Sequence, residues 1–467
     1  MTTRPELYPS QQRAVNAIVH GLRHGAIGGK GTSRGVLLAS EQGTGKTPMS
    51  IETVNAMGYQ RILVLCQDSL RFMWAKRIRE WQRLGHPIYH IQAEALDVYG
   101  SDFLAKLAYG WVILNYDIAH RVDGLKSRPW DLVICDEAVA LKSYNARRTT
   151  AVIGGAFSQA IPTRKWLMLS GNFAPNRIEE ISAPLETVDP DRWNFQKLVD
   201  ECYAEVDSIE DGRVIGTLRP GALTNLQHKL RQTVLVRLLK EDVLKDLPPK
   251  TYADPITVRL PSGRLRDSLS NMLETRRRLY AQLFNEKDPA ERASIQAHLR
   301  GLEAAICEFA GTSSYRINAV VEWLLGQKDK VVVFAYHRDA VQDLVHKLRR
   351  AGRAVEGFTG ENTKDAQDIV ERFQDEKGRQ FLVCNMQVGG VGHDLFAANL
   401  VVFAELNFSN HLMSQSEDRV HRIGQKRPVT IMHFVLEPSL DWLILDRMKE
   451  KREIGDLAFN PHKPHPV

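Results

Sequence analysis

Val36-Leu37-Leu38-Ala39-Ser40-Glu41-Gln42-Gly43-Thr44-Gly45-Lys46-Thr47 carries four apolar residues into a turn holding two glycines, a lysine and two threonines. A short continuous apolar run reads as a strand buried on both faces, the habit of a parallel sheet. Glycines after such a strand let backbone N–H groups converge on one point. The stretch therefore reads as a nucleotide-phosphate loop, with Gly43, Thr44 and Gly45 lining it, Lys46 reaching the β and γ oxygens and the Thr47 hydroxyl holding Mg²⁺. The usual pattern opens on glycine, where Ser40 stands here. Gly-Lys-Thr also arises by chance in chains of this length, so the strand before it carries more weight than the letters.

Similar runs recur on both sides. Ile62-Leu63-Val64-Leu65, Val112-Ile113-Leu114, Leu132-Val133-Ile134 and Trp166-Leu167-Met168-Leu169 follow the first. A second series comprises Val331-Val332-Val333-Phe334, Phe381-Leu382-Val383, Leu400-Val401-Val402-Phe403 and residues 430–435. The intervals suit crossover helices, so two successive α/β domains are expected. Between the series the period changes. Leu223, Leu226, Leu230 and Val234 step by three and four, as do Ile295, Leu299, Leu302, Ile306 and Phe309 after a break at Asp288-Pro289. These read as amphipathic helices whose apolar stripes serve packing. Leu247-Pro248-Pro249 reads as a hinge, because consecutive prolines end helices and stiffen connections.

The 467 residues allow two or three domains at about 150 residues each. With 25% charged and 43% apolar residues the composition is that of a folded globular chain. The net charge of +6 permits a polyanionic partner without demanding one. Apolar runs such as 397–406 fall short of the roughly 18 residues needed to span a bilayer, and no membrane is expected. The opening MTTRPELYPSQQ lacks the apolar core of a signal peptide, and an intracellular setting is expected. Cys66, Cys135, Cys202, Cys307 and Cys384 are far apart, which argues against a zinc module or a disulfide framework.

Leu132-Val133-Ile134-Cys135 ends in Asp136-Glu137, two carboxylates at the C-terminal end of a buried strand. Such a pair can be loop solvation or a helix cap. Paired with a phosphate loop it stands where metal and attacking water are managed: Asp136 for Mg²⁺, Glu137 for the water. In Gln415-Ser-Glu-Asp-Arg419-Val-His-Arg422-Ile-Gly-Gln425 two arginines lie three apart, on one side of a helical turn. They read either as surface charges or as arginine fingers offered to a γ-phosphate.

Asp418-Arg-Val-His-Arg-Ile-Gly-Gln-Lys-Arg-Pro-Val429 closely resembles the last helicase motif of SWI/SNF-type ATPases, a branch of superfamily 2 helicases and translocases. Gly389-Gly-Val-Gly-His-Asp-Leu395 is similar to that family's fifth motif, and Gly357-Phe-Thr-Gly360 with Phe373 to the stretch between its fourth and fifth. Leu239-Lys-Glu-Asp-Val-Leu-Lys-Asp-Leu-Pro-Pro-Lys250 resembles the segment joining its two lobes, and Leu7-Tyr-Pro-Ser-Gln11 its N-terminal glutamine motif. The similarity runs from about residue 5 to 450.

The resemblance implies an α/β fold of two RecA-like lobes with parallel sheets and helical protrusions. The N-terminal lobe would span 1–247 with a protrusion over about 190–247. A protrusion over about 262–310 and the C-terminal lobe would span 248–455, leaving 456–467 as a tail. It implies ATP and Mg²⁺, with catalysis by Lys46, Glu137, Gln415, Arg419 and Arg422, nucleotide contacts from Gln11 and Gly392 beside the phosphate loop, and metal contacts from Thr47 and Asp136. Its members hydrolyse ATP under stimulation by DNA, generally moving on duplex DNA without sequence preference. Candidate DNA contacts are Ser69, Arg71, Gly389 and Gly390; Trp74 and Trp81 read as core residues, and Arg276-Arg277-Arg278 as a solvated helix face.

The chain departs from the family at three places. Ser170-Gly171-Asn172-Phe173 replaces Thr-Gly-Thr-Pro in the third motif, Val139 replaces a histidine, and Asp394 an asparagine. The third-motif change touches the coupling of DNA binding to hydrolysis, Val139 removes any link made through the histidine, and Asp394 puts an acid near the expected phosphate contacts, where repulsion would weaken DNA binding. A strand-separating helicase, a slow ATP-dependent DNA-binding switch, and an ATPase acting on RNA or protein stay open as alternatives. With no appended module in view, targeting would come from a protein partner or from DNA structure. The expected setting is the cytoplasm of a bacterial or phage-infected cell, or the nucleus of a eukaryotic one.

Overall fold

The computed structural model describes residues 5–91, 102–155, 157–174, 177–210, 212–244, 247–359, 366–375, 380–389, 395–422 and 424–459. The chain divides into two compact units, one comprising residues 1–245 and 451–467, the other residues 246–450.

In the first unit, α1 (Pro9–His24) precedes β1 (Gly35–Ala39), α2 (Lys46–Met57), β2 (Arg61–Cys66) and α3 (Arg71–Trp81). Next come β3 (Ile88–Ile91), β4 (Gly110–Asn115), β5 (Trp130–Cys135) and β6 (Thr163–Ser170). A hairpin of β7 (Tyr203–Glu210) and β8 (Arg213–Leu218) and the short β9 (Leu235–Val236) complete the strands. Seven strands form one sheet in the order β3-β4-β2-β5-β6-β1-β9, and every neighbouring pair is parallel. Every residue of β1 and β2 is buried, as the continuous apolar runs require. Gly35 opens β1 because a Cβ there would lie 2.5 Å from the Trp166 carbonyl of β6.

The second unit starts with β10 (Lys250–Tyr252) and β11 (Ile256–Arg259), then β12 (Val331–Ala335), β13 (Val355–Phe358), β14 (Phe381–Asn385), β15 (Leu400–Phe403) and β16 (Val429–Glu437). The order is β10-β16-β15-β12-β14-β13, again parallel throughout, and β11 extends the outer edge along β16. Two α/β units with parallel sheets are thus present. Among the described residues no helix is long and apolar enough to cross a membrane. All five cysteines are free.

The two expected protrusions differ in character. Over 264–311 two helices, Arg264–Asn285 and Pro289–Gly311, lie side by side; Asp288 caps the second through Ala290 N and Glu291 N at 2.8 and 2.9 Å. Arg276 pairs with Glu303 at 2.7 Å, while Arg277 and Arg278 both reach Glu274. Over about 190–247 the helical expectation needs correction. Only Phe195–Cys202, Ala222–Thr233 and the short Lys240–Val243 are helical; β7 and β8 pair antiparallel between the first two, and β9 joins the main sheet beside β1. The hinge reading of 247–249 also changes. The Pro249 carbonyl accepts from Val429 N at 2.9 Å and the Pro248 carbonyl from His421 Nε2 at 2.8 Å, so the prolines lead into β10 as a fixed segment of the second unit.

Candidate nucleotide site

β6 lies between β1 and β5, with Ala39 level with Ser170 and Cys135 level with Met168. The loops after β1, β6 and β5 consequently leave the C-terminal edge of the sheet side by side. In a parallel α/β sheet this edge is where ligands bind.

The loop after β1 is built as its residue types suggest. Gly43 and Gly45 take left-handed backbone, φ 79° and 88°, and α2 starts at Lys46. The first turn of α2 presents backbone N–H groups that have no carbonyl partner within the helix, a ready anion cradle. Lys46 Nζ donates to the Ser40 carbonyl at 3.0 Å and Thr44 Oγ1 to the Glu41 carbonyl at 2.6 Å. Thr47 is the second residue of α2, on the same first turn. Gln11 Oε1 accepts from Tyr8 N at 2.8 Å, and Gln11 Nε2 donates to the Thr44 carbonyl at 2.7 Å. Gln11 thus holds the loop as well as standing where an adenine-reading residue is expected. Behind the loop, Arg237 Nη1 donates to the Ala39 and Gly171 carbonyls at 2.6 and 2.8 Å. One guanidinium thereby ties the phosphate loop to the third-motif turn. Lys240 N donates to Glu41 Oε2 at 2.7 Å.

Asp136 and Glu137 are both buried. Asp136 Oδ2 accepts from Trp74 Nε1 at 2.7 Å, Asp136 Oδ1 from Glu137 N at 3.0 Å, and the Asp136 carbonyl from Tyr116 OH at 2.8 Å. Burial, and next the adjacent Glu137 carboxylate, push the Asp136 carboxyl above its ordinary range, while Trp74 and Lys46 pull the other way. Glu137 has φ 49°, the sole left-handed non-glycine among the described residues. Val139 follows in the single 3-10 turn Ala138–Leu141. In the third-motif turn, Ser170 Oγ donates to the Asn172 carbonyl and Asn172 Oδ1 accepts from Ala174 N, so both polar side chains bond within the turn.

The donor set fits a magnesium nucleotide: a helix N-terminus with a lysine for phosphates, a hydroxyl at Thr47 and one carboxylate at Asp136 for a hard cation that keeps water and phosphate oxygens as further ligands. Among the described residues no three His, Cys, Asp or Glu side chains gather into a self-sufficient metal cage.

In the second unit, Gln415, Glu417 and Arg419 lie on the helix Asn410–Val420. That helix ends at Val420, so Arg419 occupies its last turn and Arg422 the turn beyond; the expected single helical face for the two arginines does not form. Gln415 Nε2 donates to His411 Nε2 at 2.7 Å. Glu417 is fully buried and accepts from Lys250 Nζ at 2.8 Å and Tyr252 OH at 2.7 Å, with Asp418 3.6 Å from the same ammonium. Burial acts to depress the Lys250 ammonium, but Glu417 and then Asp418 outweigh it and hold it well above its usual value. β10 therefore clasps the helix that carries Gln415 and Arg419.

Of the candidate DNA contacts, Ser69 sits in the 3-10 turn Asp68–Leu70 and Gly389 ends the helix Met386–Gly389. Gly390, Gly392 and Asp394 lie outside the described residues. Arg71 is buried and pairs with Asp68 at 2.7 Å, three residues earlier. Three contributors escaped the sequence reading. Trp74 carried only a packing signal, and nothing in spacing linked Tyr116 to Asp136, 20 residues on, or Arg237 to Gly171 and Ala39, 66 and 198 residues earlier.

Residues 10–264 match the SNF2-related domain and residues 315–424 the helicase conserved C-terminal domain. Over 436 residues the chain is 27% identical to the SWI/SNF-related matrix-associated actin-dependent regulator of chromatin subfamily A-like protein 1 homolog of Caenorhabditis elegans, covering 90% of this chain and 58% of that one. It is 25% identical over 442 residues to the human DNA annealing helicase and endonuclease ZRANB3, covering 91% and 39%. The chain thus spans about half the length of the curated relatives it matches. The Sulfolobus solfataricus SWI2/SNF2 ATPase core in complex with dsDNA aligns at 18% identity and a TM-score of 0.44, covering 97% of this chain and 92% of that one. With the first domain alone matching more than half of its residues, the chain belongs to the SNF2-related family of superfamily 2 ATPases.

Proposed function

We propose that the chain is a DNA-stimulated ATPase that translocates on double-stranded DNA without reading its sequence, remodelling protein–DNA or branched DNA structures. The observation that carries the reading is the phosphate loop and the buried Asp136–Glu137 pair on one edge of a parallel sheet in an SNF2-related chain. Lys46 and the head of α2 bind the β and γ phosphates; Thr47 and Asp136 hold Mg²⁺; Glu137 orients a water and takes its proton as the water oxygen bonds to the γ-phosphorus and ADP leaves. Arg419 and Arg422 are assigned the charge that spreads over the transferring phosphoryl oxygens, with Gln415 beside them. Mg²⁺, held by Thr47 and Asp136 when bound, would neutralise the phosphate charge. Gly392 and the DNA contacts Ser69, Arg71, Gly389 and Gly390 belong to the proposal on motif similarity alone. A protein partner for targeting is part of the same reading.

The names of the relatives support DNA as substrate, since one is a DNA annealing helicase. The internally bonded third-motif turn favours one rival, a slow nucleotide-dependent DNA-binding switch. Steady-state ATPase rates with no polymer, single-stranded DNA, duplex DNA and RNA separate these readings, with Glu137→Gln as blank. Duplex DNA raising the rate most is the expected result. Equal slow turnover with every polymer would favour the switch, and greater stimulation by RNA would overturn the substrate.

A further inference from the structure

The proposed metal carboxylate is held by a residue on a different element. Trp74, fully buried on α3, gives its indole N–H to Asp136 Oδ2 at 2.7 Å, and Asp136 Oδ1 takes the Glu137 N–H at 3.0 Å. Each carboxylate oxygen therefore keeps one lone-pair direction for a cation and has the other fixed by protein. A hydrogen bond to an ionised acceptor is short and strong, and this one fixes the plane of the carboxylate. The helix that supplies it is itself anchored. Its first residue, Arg71, is buried and pairs with Asp68, and its last two turns bury Ala75 and Ile78.

We infer that Trp74 is a positioning residue: through its indole N–H, α3 sets the orientation in which Asp136 accepts Mg²⁺. This rests on the reading of Asp136 as the metal-holding carboxylate. Groups that orient metal ligands typically change metal affinity 10–100-fold when removed. Trp74→Phe keeps most of the aromatic packing and deletes the donor. The matched control is Trp130→Phe, which removes the same atoms from another fully buried tryptophan whose N–H donates to the Leu125 carbonyl at 3.0 Å.

The test titrates Mg²⁺ against binding of a fluorescent ADP, with no nucleic acid present. In Trp74→Phe the Mg²⁺ midpoint is expected to rise about tenfold or more, while ADP affinity in EDTA stays at the parent value and shows the loop intact. Trp130→Phe is expected to keep the parent midpoint. An unchanged midpoint in Trp74→Phe, or an equal shift in Trp130→Phe, overturns the inference. Asp136→Asn serves as reference: if it leaves the Mg²⁺ midpoint unmoved, the site assignment fails, a result distinct from a failure at Trp74 alone.

Discussion

Glu137 shows how the site constrains single residues. Its left-handed backbone, φ 49° and ψ 53°, costs a non-glycine residue about 1–2 kcal/mol. Such strain persists where surrounding structure over-determines it, and here it places a carboxylate directly after the proposed metal ligand. Glu137→Gln keeps shape and backbone but removes the base, so ATP hydrolysis should fall by about 10²-fold or more with nucleotide affinity retained, as rapid-quench and equilibrium binding would show. Gly45 is constrained by both conformation and space. It sits at φ 88° and a Cβ would lie 2.4 Å from Gln11 Nε2. Gly45→Ala should therefore weaken nucleotide binding at least tenfold through a displaced loop, and loss of affinity without loss of folding is the signature in calorimetry. The Gly45 effect is not readable from Gly-Thr-Gly-Lys-Thr alone, because the crowding comes from Gln11 of α1, more than 30 residues earlier. Trp74 makes the same point: its burial was legible in the sequence, but the acceptor for its N–H lies on another strand.

At the scale of elements, continuous apolar runs declared β1, β2, β4, β5, β6, β12, β14, β15 and β16, because strands buried on both faces leave little else for their residues to do. The hairpin escaped since Val206, Ile209 and Leu218 are exposed and no buried face imposes a pattern. β9 escaped because two residues are too short to show a period. Two contacts in the second unit make this scale testable. Lys250 neutralises the buried Glu417, and Lys250→Met would take away that carboxylate's ammonium while leaving the Tyr252 hydroxyl in place. The loss should be roughly 3 kcal/mol, at the low end for a broken buried pair since Lys250 keeps some solvent contact, and should lower the urea midpoint. Glu405, also buried, accepts from Tyr336 N, His337 N and His337 Nδ1 at 2.6, 2.9 and 2.7 Å. That hydrogen bond raises the His337 pKa against the opposing effect of burial. The stabilisation is therefore fully present below the unfolded value of ~6.5 and lost as pH climbs through the raised folded value. Thermal melts should lose stability across that window in the parent and less so in His337→Gln.

At the scale of the whole molecule, the stretch from residue 237 to residue 252 contributes contacts within each α/β unit. Arg237 and Lys240 of this segment hold the phosphate loop of the first unit, while Lys250 and Tyr252 hold the helix bearing Gln415 and Arg419 in the second. The motif reading named this stretch as a connector, but its hydrogen-bonding partners became visible only in three dimensions. The proposed function assigns to this chain the conversion of nucleotide hydrolysis into movement along duplex DNA. Displacement of a third strand from a DNA triplex tests this directly, because stepping along the duplex ejects that strand without any duplex unwinding. The account predicts ATP-dependent displacement by the parent chain and none by Glu137→Gln. Duplex-stimulated ATP hydrolysis with the triplex left intact would contradict it.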